Sequence, residues 1–186
     1  MNIDSSSAAV VLENPKYPHN VGGALRACAA FGTPLLYWTG ERVHFKQEHL
    51  PRPERTGHHR QSVRFAREPE ALERLIARGL VPVAIELKPD AENLLFFAHP
   101  EKAAYVFGPE DGSLSRDTLR RCHRFAFVPT HYCLNLAATV NVVLYDRRVK
   151  AMLAGSEPVL PLSEMLRREM PEVAISGRVR DGFEGR

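Results

Sequence analysis

The sequence predicts an α/β fold built on a mostly parallel sheet. Short apolar runs of strand length alternate along the chain with longer segments whose apolar residues recur at helical spacing. The run at 103–107 is followed by a glycine-containing turn and then by Ser115, a good helix N-cap. Such alternation is typical of βαβ units, in which helices cover parallel strands. The 186 residues suit one domain of ordinary size.

Composition and charge indicate a soluble globular protein. The chain is 44% hydrophobic and 25% charged, and its net charge of +3 permits nucleic-acid binding without requiring it. No apolar run approaches the length of a membrane span, and the polar N-terminus lacks the features of a signal peptide, so we expect a cytoplasmic protein. Three cysteines without framework spacing suit a reducing compartment.

A stiff turn separates the first predicted strand from the first predicted helix. The strand is expected at 9–12, and Pro15 and Pro18 stiffen the turn after it. Asn20 is the predicted N-cap of the helix, and Gly32 marks its end. The apolar stripe of this helix consists of Val21, Ala24, Leu25, Cys28 and Ala29.

Arg26 lies off that apolar stripe, one turn beyond Gly22. Gly22 and Gly23 lower helix stability, so two glycines in the first turn indicate that something approaches the turn closely. A helix N-terminus beside an arginine can bind an anion. The alternative is a solvated surface arginine.

A basic stretch follows the second strand, which is predicted at 34–38. Residues 39–67 have no periodicity and combine basic with aromatic side chains, which could contact RNA phosphates and stack on unpaired bases. Within this stretch Arg55, His59 and Arg60 are the candidates for RNA contact. An ordinary solvated loop is the alternative interpretation.

The histidines and cysteines do not form a persuasive zinc site. No pair among them has the spacing of a zinc finger, so we expect no metal. The residues considered were His58, His59, Cys122, His123, His131 and Cys133.

The middle of the chain continues the alternation. A helix is predicted at 68–78 and a third strand at 80–87, whereas 91–97 is ambiguous. After the strand at 103–107, Gly108 and Gly112 let the backbone approach a ligand, and Glu110 offers a carboxylate to nearby donors. Ligands of open α/β sheets bind at such strand ends, so the turn is a candidate ligand site. A connecting turn with no ligand is the alternative.

The last predicted strand, at 124–128, leads to a helix at 134–148. That helix is apolar almost all round, so we expect it to be buried. Its one polar stripe, formed by Asn135, Thr139 and Asp146, needs partners, which a ligand could supply. We place a domain at 1–152 and a polar extension at 153–186, with a short helix near 162–169 and disorder from 175.

Several common chemistries are disfavoured. The chain has neither a P-loop nor a dinucleotide-binding G-x-G-x-x-G signature, which argues against nucleotide triphosphate and dinucleotide chemistry. Ser113 and Ser115 do not lie in a nucleophile elbow, which argues against hydrolysis.

Three segments resemble motifs of the SpoU/TrmH class of SPOUT RNA 2′-O-ribose methyltransferases. The first segment contains Asn14-Pro15, His19-Asn20-Val21-Gly22 and Arg26, and the second is the turn at 107–115. The third contains Val128-Pro129, the run at 133–137 and Leu144-Tyr145-Asp146. The match runs from about residue 10 to about residue 148, in the order and spacing of that class. The compact length is similar to that of the small single-domain members that act on tRNA.

The resemblance implies an α/β sheet with a deep C-terminal trefoil knot, a homodimer, and S-adenosylmethionine as cofactor. The implied substrate is RNA, with tRNA favoured over rRNA, contacted through Asn14 and Arg26. Three loops would bind the cofactor. The residues implied in them are Ile85, Leu87, Gly108, Glu110, Gly112, Val128, Cys133, Leu134 and Leu136.

The resemblance assigns the catalytic roles to Arg26, Asn20, Glu110 and Asn135. Arg26 would act beside the cofactor of the other protomer, either as a base or by stabilising the developing ribose oxyanion. A guanidinium with a pKa above about 12 favours stabilisation. Asn20 would orient Arg26 or the ribose, Glu110 would fix the second turn, and Asn135 would hold the third loop. Position 133 is commonly Ser in this class and is Cys133 here, a poorer hydrogen-bond partner.

Two other functions stay open at this point. One is a non-catalytic RNA-binding relative, against which the joint presence of the four implied catalytic residues argues. The other is an RNA methyltransferase that modifies a base, which would need different chemistry in the third motif.

Overall fold

The computed structural model describes residues 8–44 and 63–168, with side chains as far as residue 165. The chain divides into two units, Met1–Arg148 and Val149–Arg186. The first unit contains the sheet and all the implied catalytic and cofactor-binding residues. Arg55, His59 and Arg60, the candidates for RNA contact, lie outside the described residues, and so does the predicted disordered end.

Seven strands and five α-helices alternate within the described residues. The strands are β1 (Ala8–Leu12), β2 (Leu35–Trp38), β3 (Arg64–Arg67), β4 (Val81–Ile85), β5 (Glu92–Asn93), β6 (Ala103–Phe107) and β7 (Arg124–Phe127). The helices are α1 (Pro18–Ala30), α2 (Ala71–Ala77), α3 (Arg116–Arg121), α4 (Leu136–Leu153) and α5 (Leu162–Arg168). A 3₁₀ turn at Leu94–Phe96 follows β5. No described helix is both long enough and apolar enough to cross a membrane.

The strands form one parallel sheet in the order β3-β2-β1-β6-β4-β7-β5. Leu12 at the end of β1 lies opposite both Trp38 and Phe107, and Ile85 at the end of β4 also lies opposite Phe107. The carboxyl ends of these four strands therefore share one edge of the sheet. The predicted α/β class with a mostly parallel sheet is confirmed. The strand order is compatible with the implied trefoil knot, which stays a prediction.

Helices cover both faces of the sheet because successive strand residues point to opposite sides. On one face, Val10 and Leu12 of β1 belong to the apolar cluster that includes α1 and α4. On the other face, Val11 belongs to the cluster that includes Leu72 and Leu75 of α2. All five residues of β1 and of β6 are buried, as expected for strands covered on both sides.

The predicted start of the first helix was wrong. Asn20 is not the N-cap, because α1 begins at Pro18 and Tyr17 occupies the cap position. Proline suits the first helical position, where its missing N–H would have no helical partner. Asn20 therefore lies inside the first turn, where it is only 3% exposed. Gly32, with a φ of 68°, follows the end of the helix as predicted.

β3 was not predicted, because it lies within the stretch expected to be irregular. β3 pairs with β2 at the edge of the sheet, and both of its terminal arginines are exposed. An edge strand with so little burial lacks the apolar signal from which strands are predicted. The ambiguous segment 91–97 forms β5 and the 3₁₀ turn.

The expectation of a fully buried helix at 134–148 was wrong for the isolated chain. α4 starts at Leu136, and its buried residues up to Arg148 are Leu136, Val140, Val143 and Leu144. Its other face leaves Val142 36% exposed and Tyr145 60% exposed. The apolar residues outnumber those that one packed stripe can cover, so the helix presents an apolar surface to solvent.

The polar residues of that helix find partners within the chain. The Thr139 hydroxyl donates to the Asn135 carbonyl at 2.9 Å. An oxygen of Asp146 lies 2.7 Å from Nε2 of His99, whose Nδ1 lies 2.7 Å from the Tyr105 hydroxyl. Burial raises the pKa of Tyr105 to about 12. No ligand is therefore required to satisfy Thr139 or Asp146.

Candidate active site

Glu110 joins the first and second motifs. One carboxylate oxygen accepts a hydrogen bond from the Lys16 backbone N–H at 2.7 Å, and the other accepts from the Asn20 amide at 2.6 Å and from the Tyr17 N–H at 3.4 Å. Burial alone would raise the pKa of Glu110, but the hydrogen bonds from Asn20 and from the backbone outweigh it, and the pKa is lowered. Glu110 is thus an ionised clamp on the turn before α1.

Asn20 joins the first and third motifs. Its side-chain oxygen accepts a hydrogen bond from the Asn135 amide at 3.3 Å, while its own amide donates to Glu110. The Asn135 side-chain oxygen accepts from the Ala138 N–H at 2.7 Å and so caps the start of α4. Three of the four residues implied in catalysis therefore form one continuous network.

A close approach of α1 to α4 makes this network possible. A Cβ atom on Gly23 would lie 2.7 Å from the Cβ of Ala137, closer than two such carbons can come. Glycine at position 23 therefore lets the second turn of α1 approach the first turn of α4 closely. This contact explains why the helix tolerates a glycine here despite its cost to helix stability.

Gly23→Ala should lower the free energy of unfolding by about 1–3 kcal/mol because the added methyl group overpacks the α1–α4 contact. Alanine has the better helix propensity, so helix propensity alone would give the opposite sign. Urea unfolding of Gly23→Ala and of Gly23→Ala/Ala137→Gly measures the effect. The double variant should be the more stable of the two. A further loss of stability on adding Ala137→Gly would contradict the steric explanation.

Other carboxylates, which the sequence analysis did not single out, also hold the second-motif turn. Glu13 accepts from the Ser115 N–H at 2.9 Å, and Glu86 accepts from the Leu114 N–H at 3.0 Å. Asp111 pairs with Arg42 through two hydrogen bonds of 2.8 and 2.9 Å, and its pKa is lowered to about 2 by Arg42 and then by Lys16. The signal in the sequence was the position of Glu13 and Glu86 directly after strand ends.

A cleft of about 140 Å³ lies beside the network, at the ends of β4 and β7 and the start of α4. Its walls combine apolar side chains with the hydroxyls of Thr130 and Thr139, which suits a ligand that has both a flat ring and polar groups. Five of the residues implied in cofactor binding line the cleft. They are Ile85, Leu87, Val128, Cys133 and Leu134.

The other implied cofactor residues lie around this cleft rather than in its walls. Gly108, Glu110 and Gly112 belong to the second-motif turn, where a Cβ on Gly108 would lie 3.2 Å from the Leu114 nitrogen. Leu136 is 6% exposed and packs in the core. Asn14, implied in substrate binding, has a φ of 44°, and its backbone carbonyl accepts a hydrogen bond from the Arg42 guanidinium at 3.5 Å.

Arg26 is exposed on α1, six residues beyond the buried Asn20. Six residues of α-helix span about 9 Å, so the two side chains leave the helix well apart. Arg26 is not among the described residues that line the cleft of its own chain. Within residues 8–44 and 63–168, no cluster of three or more His, Cys, Asp or Glu side chains could hold a metal ion.

The parallel sheet and the three loops that meet at its edge are those of the SpoU/TrmH class, as the motifs indicated. The chain belongs to the SpoU rRNA Methylase family, whose model matches residues 7–145. It is therefore an RNA methyltransferase by family. No curated protein matches the sequence significantly.

Solved structures share this fold. The TrmH/SpoU tRNA modifying enzyme of A. aeolicus is 21% identical with a TM-score of 0.68, and the match covers 90% of this chain and 89% of that one. The AdoMet-bound rRNA methyltransferase of Sinorhizobium meliloti is 21% identical with a TM-score of 0.68, over 81% of this chain but only 59% of that one. A structure described as giving insights into the 2-OH methylation of C/U34 on tRNA is 25% identical with a TM-score of 0.62. The match covers 81% of this chain and 99% of that one.

Proposed function

We propose that this protein methylates the 2′-hydroxyl of a ribose in RNA, with tRNA as the favoured substrate. The observation that carries the proposal is the Glu110–Asn20–Asn135 network, which ties all three motifs together beside the cleft. The family supports RNA methylation, and a neighbour of the same fold is described as an RNA 2′-O ribose methyltransferase.

The cofactor is S-adenosylmethionine, as family membership and the AdoMet-bound neighbours support. When bound, it supplies a methyl group activated by the positive charge of its sulfonium. The cleft suits part of such a molecule, because Ile85, Val128 and Leu134 can enclose a flat ring while the hydroxyl oxygens of Thr130 and Thr139 can accept hydrogen bonds. Cys133 lies in the same wall. Its thiol is a weak hydrogen-bond partner, but its main chain can still contribute hydrogen bonds to the cofactor.

Arg26 acts on the ribose oxygen. A 2′-hydroxyl is a poor nucleophile at neutral pH, and negative charge develops on its oxygen as its proton passes to solvent and a C–O bond to the methyl group replaces the methyl–sulfur bond. A guanidinium is a planar cation with several N–H donors and no acceptor, so Arg26 serves as a hydrogen-bond donor to that oxygen rather than as a base. The same side chain can also hold an adjacent phosphate.

Glu110, Asn20 and Asn135 act as positioning residues. Every side-chain oxygen and amide group named in the network is already bonded within the chain, so the network holds the three loops in place rather than offering free donors. Correct alignment of reacting groups accounts for a large part of the rate enhancement in such transfers.

The coverage of a tRNA-linked neighbour supports tRNA as substrate. The neighbour linked to methylation of C/U34 on tRNA is covered over 99% of its length, so this chain has a counterpart for almost all of that protein. The S. meliloti rRNA methyltransferase is covered over only 59% of its length. This chain therefore matches the smaller, tRNA-linked protein more completely.

Incubation with S-adenosylmethionine labelled in its methyl group and with total RNA tests the proposed function. We expect label in the tRNA fraction and, after digestion to nucleosides, in 2′-O-methylated nucleosides. Label on a base would indicate a base-directed enzyme. Cofactor binding without transfer to any RNA would indicate a non-catalytic RNA-binding relative.

The exposed face of α4 supports a homodimer. Val142 and Tyr145 are apolar or aromatic residues that the isolated chain leaves exposed, and Phe31 packs edge-on against Tyr145 with ring centres 6.3 Å apart. A second copy of the chain would cover this face. A dimer would also allow Arg26 to act beside the cleft of the partner.

Light scattering at micromolar protein should give a mass of twice the 20.9 kDa of one chain. Tyr145→Asp should shift the protein towards the monomer, because it introduces a charge into the covered apolar face. Phe96→Asp is the matched control, since Phe96 is 79% exposed on the 3₁₀ turn. A monomeric wild-type protein, or equal effects of both variants, would contradict the proposed interface.

A further inference from the structure

A second groove, distinct from the cleft, opens at the same edge of the sheet. Its volume is about 230 Å³, and it lies between α2 and α3, above the ends of β1 and β6. Val11, Leu72 and Val106 form an apolar floor, while Glu13 and Thr118 are polar groups of the wall. Asn14 of the first motif and Ser115 of the second also line the groove.

Glu13 leaves an unused hydrogen-bond acceptor at this groove. Its Oε1 accepts the Ser115 N–H at 2.9 Å. Its Oε2 is buried and has no hydrogen-bond partner among the described residues. A buried carboxylate oxygen that accepts no hydrogen bond is costly and rare. A ligand with a hydrogen-bond donor could supply the missing partner of Oε2.

Within the described part of the chain, no cation of the groove wall pairs with Glu13. Burial and then the negative charge of Glu13 raise the pKa of the neighbouring Cys122 thiol to about 12. The only described arginine in the groove wall, Arg121, is engaged by Asp117 at 2.9 Å and by Glu73 at 3.2 Å. The groove therefore disfavours an anion such as a phosphate and favours a neutral ligand that presents a donor.

We propose that this groove binds an unpaired nucleobase of the RNA substrate through an exocyclic amine donated to Oε2 of Glu13. The volume is below the roughly 300–1,000 Å³ of pockets for drug-sized ligands, so it suits a single ring system on an apolar floor. Carboxylates accept from the N4 amine of cytosine in nucleic-acid recognition. The N3–H of uracil lies between two carbonyl oxygens, which the carboxylate would repel.

The position of the groove connects it to the reaction. Glu13 directly precedes Asn14 of the first motif, and Ser115 ends the turn that carries Glu110. A base held by Glu13 would thus lie at the edge where the three motifs meet. Proteins that recognise unpaired RNA bases read their edges by hydrogen bonds of this kind. The inference rests on the proposed function for its choice of RNA, but base binding requires no methyl transfer.

Binding of cytidine and uridine to the full-length protein, followed by NMR, tests the inference. We expect cytidine to bind about 5- to 100-fold more tightly than uridine, because uridine leaves Oε2 unpaired. N4,N4-dimethylcytidine, which lacks the amine donors, should bind as weakly as uridine. Glu13→Gln should lose the preference, and Glu73→Gln, a change at the groove wall that spares Glu13, should keep it.

In the methylation assay, Glu13→Gln should raise KM for RNA by a larger factor than it lowers kcat, because Glu13 also holds the Ser115 N–H of the second-motif turn. Equal binding of cytidine and uridine to the wild-type protein would overturn the inference even if Glu13→Gln fails to fold. Tighter binding of spermidine than of cytidine would also overturn it, by assigning the groove to a polyamine. Absence of methyl transfer with a retained cytidine preference would count against the proposed function alone.

Discussion

Arg26→Ala is expected to reduce methyl transfer by about 100- to 1,000-fold, the loss typical of removing one donor to a developing oxyanion. Affinity for S-adenosylmethionine should not change, because Arg26 does not line the cleft of its own chain among the described residues. The midpoint temperature of thermal unfolding should also stay unchanged, since Arg26 is exposed. Single-turnover transfer to RNA and calorimetric titration with the cofactor measure the two effects separately.

Arg116→Ala is the matched control for the loss of an exposed arginine. Arg116 begins α3 and lies in none of the three motifs. It should transfer methyl groups at close to the wild-type rate. Arg26→Lys distinguishes the two roles of the guanidinium: a lysine keeps the charge but not the planar pair of donors. Unchanged turnover in Arg26→Ala would remove Arg26 from the mechanism.

Glu110→Gln is expected to lower the free energy of unfolding by about 1.5–3 kcal/mol and to slow methyl transfer at least about tenfold. A glutamine amide would face either the Lys16 N–H or the Asn20 amide, both of which are donors. One of these donors would then lose its acceptor within the chain, and the three loops would lose their fixed alignment. Urea unfolding and steady-state transfer provide the measurements.

Asp111→Asn is the control for the loss of a neighbouring carboxylate. Asp111 pairs with Arg42 and Lys16 at the surface, where ion pairs contribute little, so its removal should leave both stability and transfer close to wild type. Equal losses of stability and of methyl transfer in the two variants would show that the turn responds to the loss of any charge. The Glu110 network would then have no specific role in positioning the loops.

Acid should remove the difference in the free energy of unfolding between the wild type and Glu110→Gln. The pKa of Glu110 is lowered in the folded protein from its ordinary 4.5, so its contribution is fully present above that value. The contribution is lost as the pH falls through the folded pKa, because the carboxyl group then takes up a proton. Unfolding curves from about pH 7 to about pH 3 should therefore show a constant gap that narrows only below the ordinary pKa. A gap that narrows already near neutral pH would contradict the ionised clamp.

The sheet was predictable where burial dictates the sequence. β1 and β6 are buried along their whole lengths, so they appear as unbroken apolar runs. β3 is an edge strand with an arginine at each end, and its position depends on pairing with β2 rather than on its own residues. The start of α1 was misplaced because Asn20 has the chemistry of a cap but serves a partner far along the chain.

The motifs allowed the candidate site residues to be named, but not their arrangement in the fold. Glu110 and Asn20 are 90 positions apart, and Asn20 and Asn135 are 115 apart, so no local pattern records their hydrogen bonds. The motifs indicated that these residues matter, whereas the network shows that they hold one another. Gly23 gave a local signal of close approach, but only packing identifies Ala137 as the residue approached.

The composite site across two protomers is tested most directly by mixing two inactive variants. Arg26→Ala keeps an intact cleft, and Leu134→Trp blocks the cleft at a side chain that is 39% exposed, while its own Arg26 stays intact. If Arg26 serves the partner's cleft, each mixed dimer regains one complete site. The mixture, unfolded together and refolded, should then form 2′-O-methylated nucleosides at about one quarter of the wild-type rate. No recovery, in a sample that native mass spectrometry shows to contain mixed dimers, would contradict the shared site.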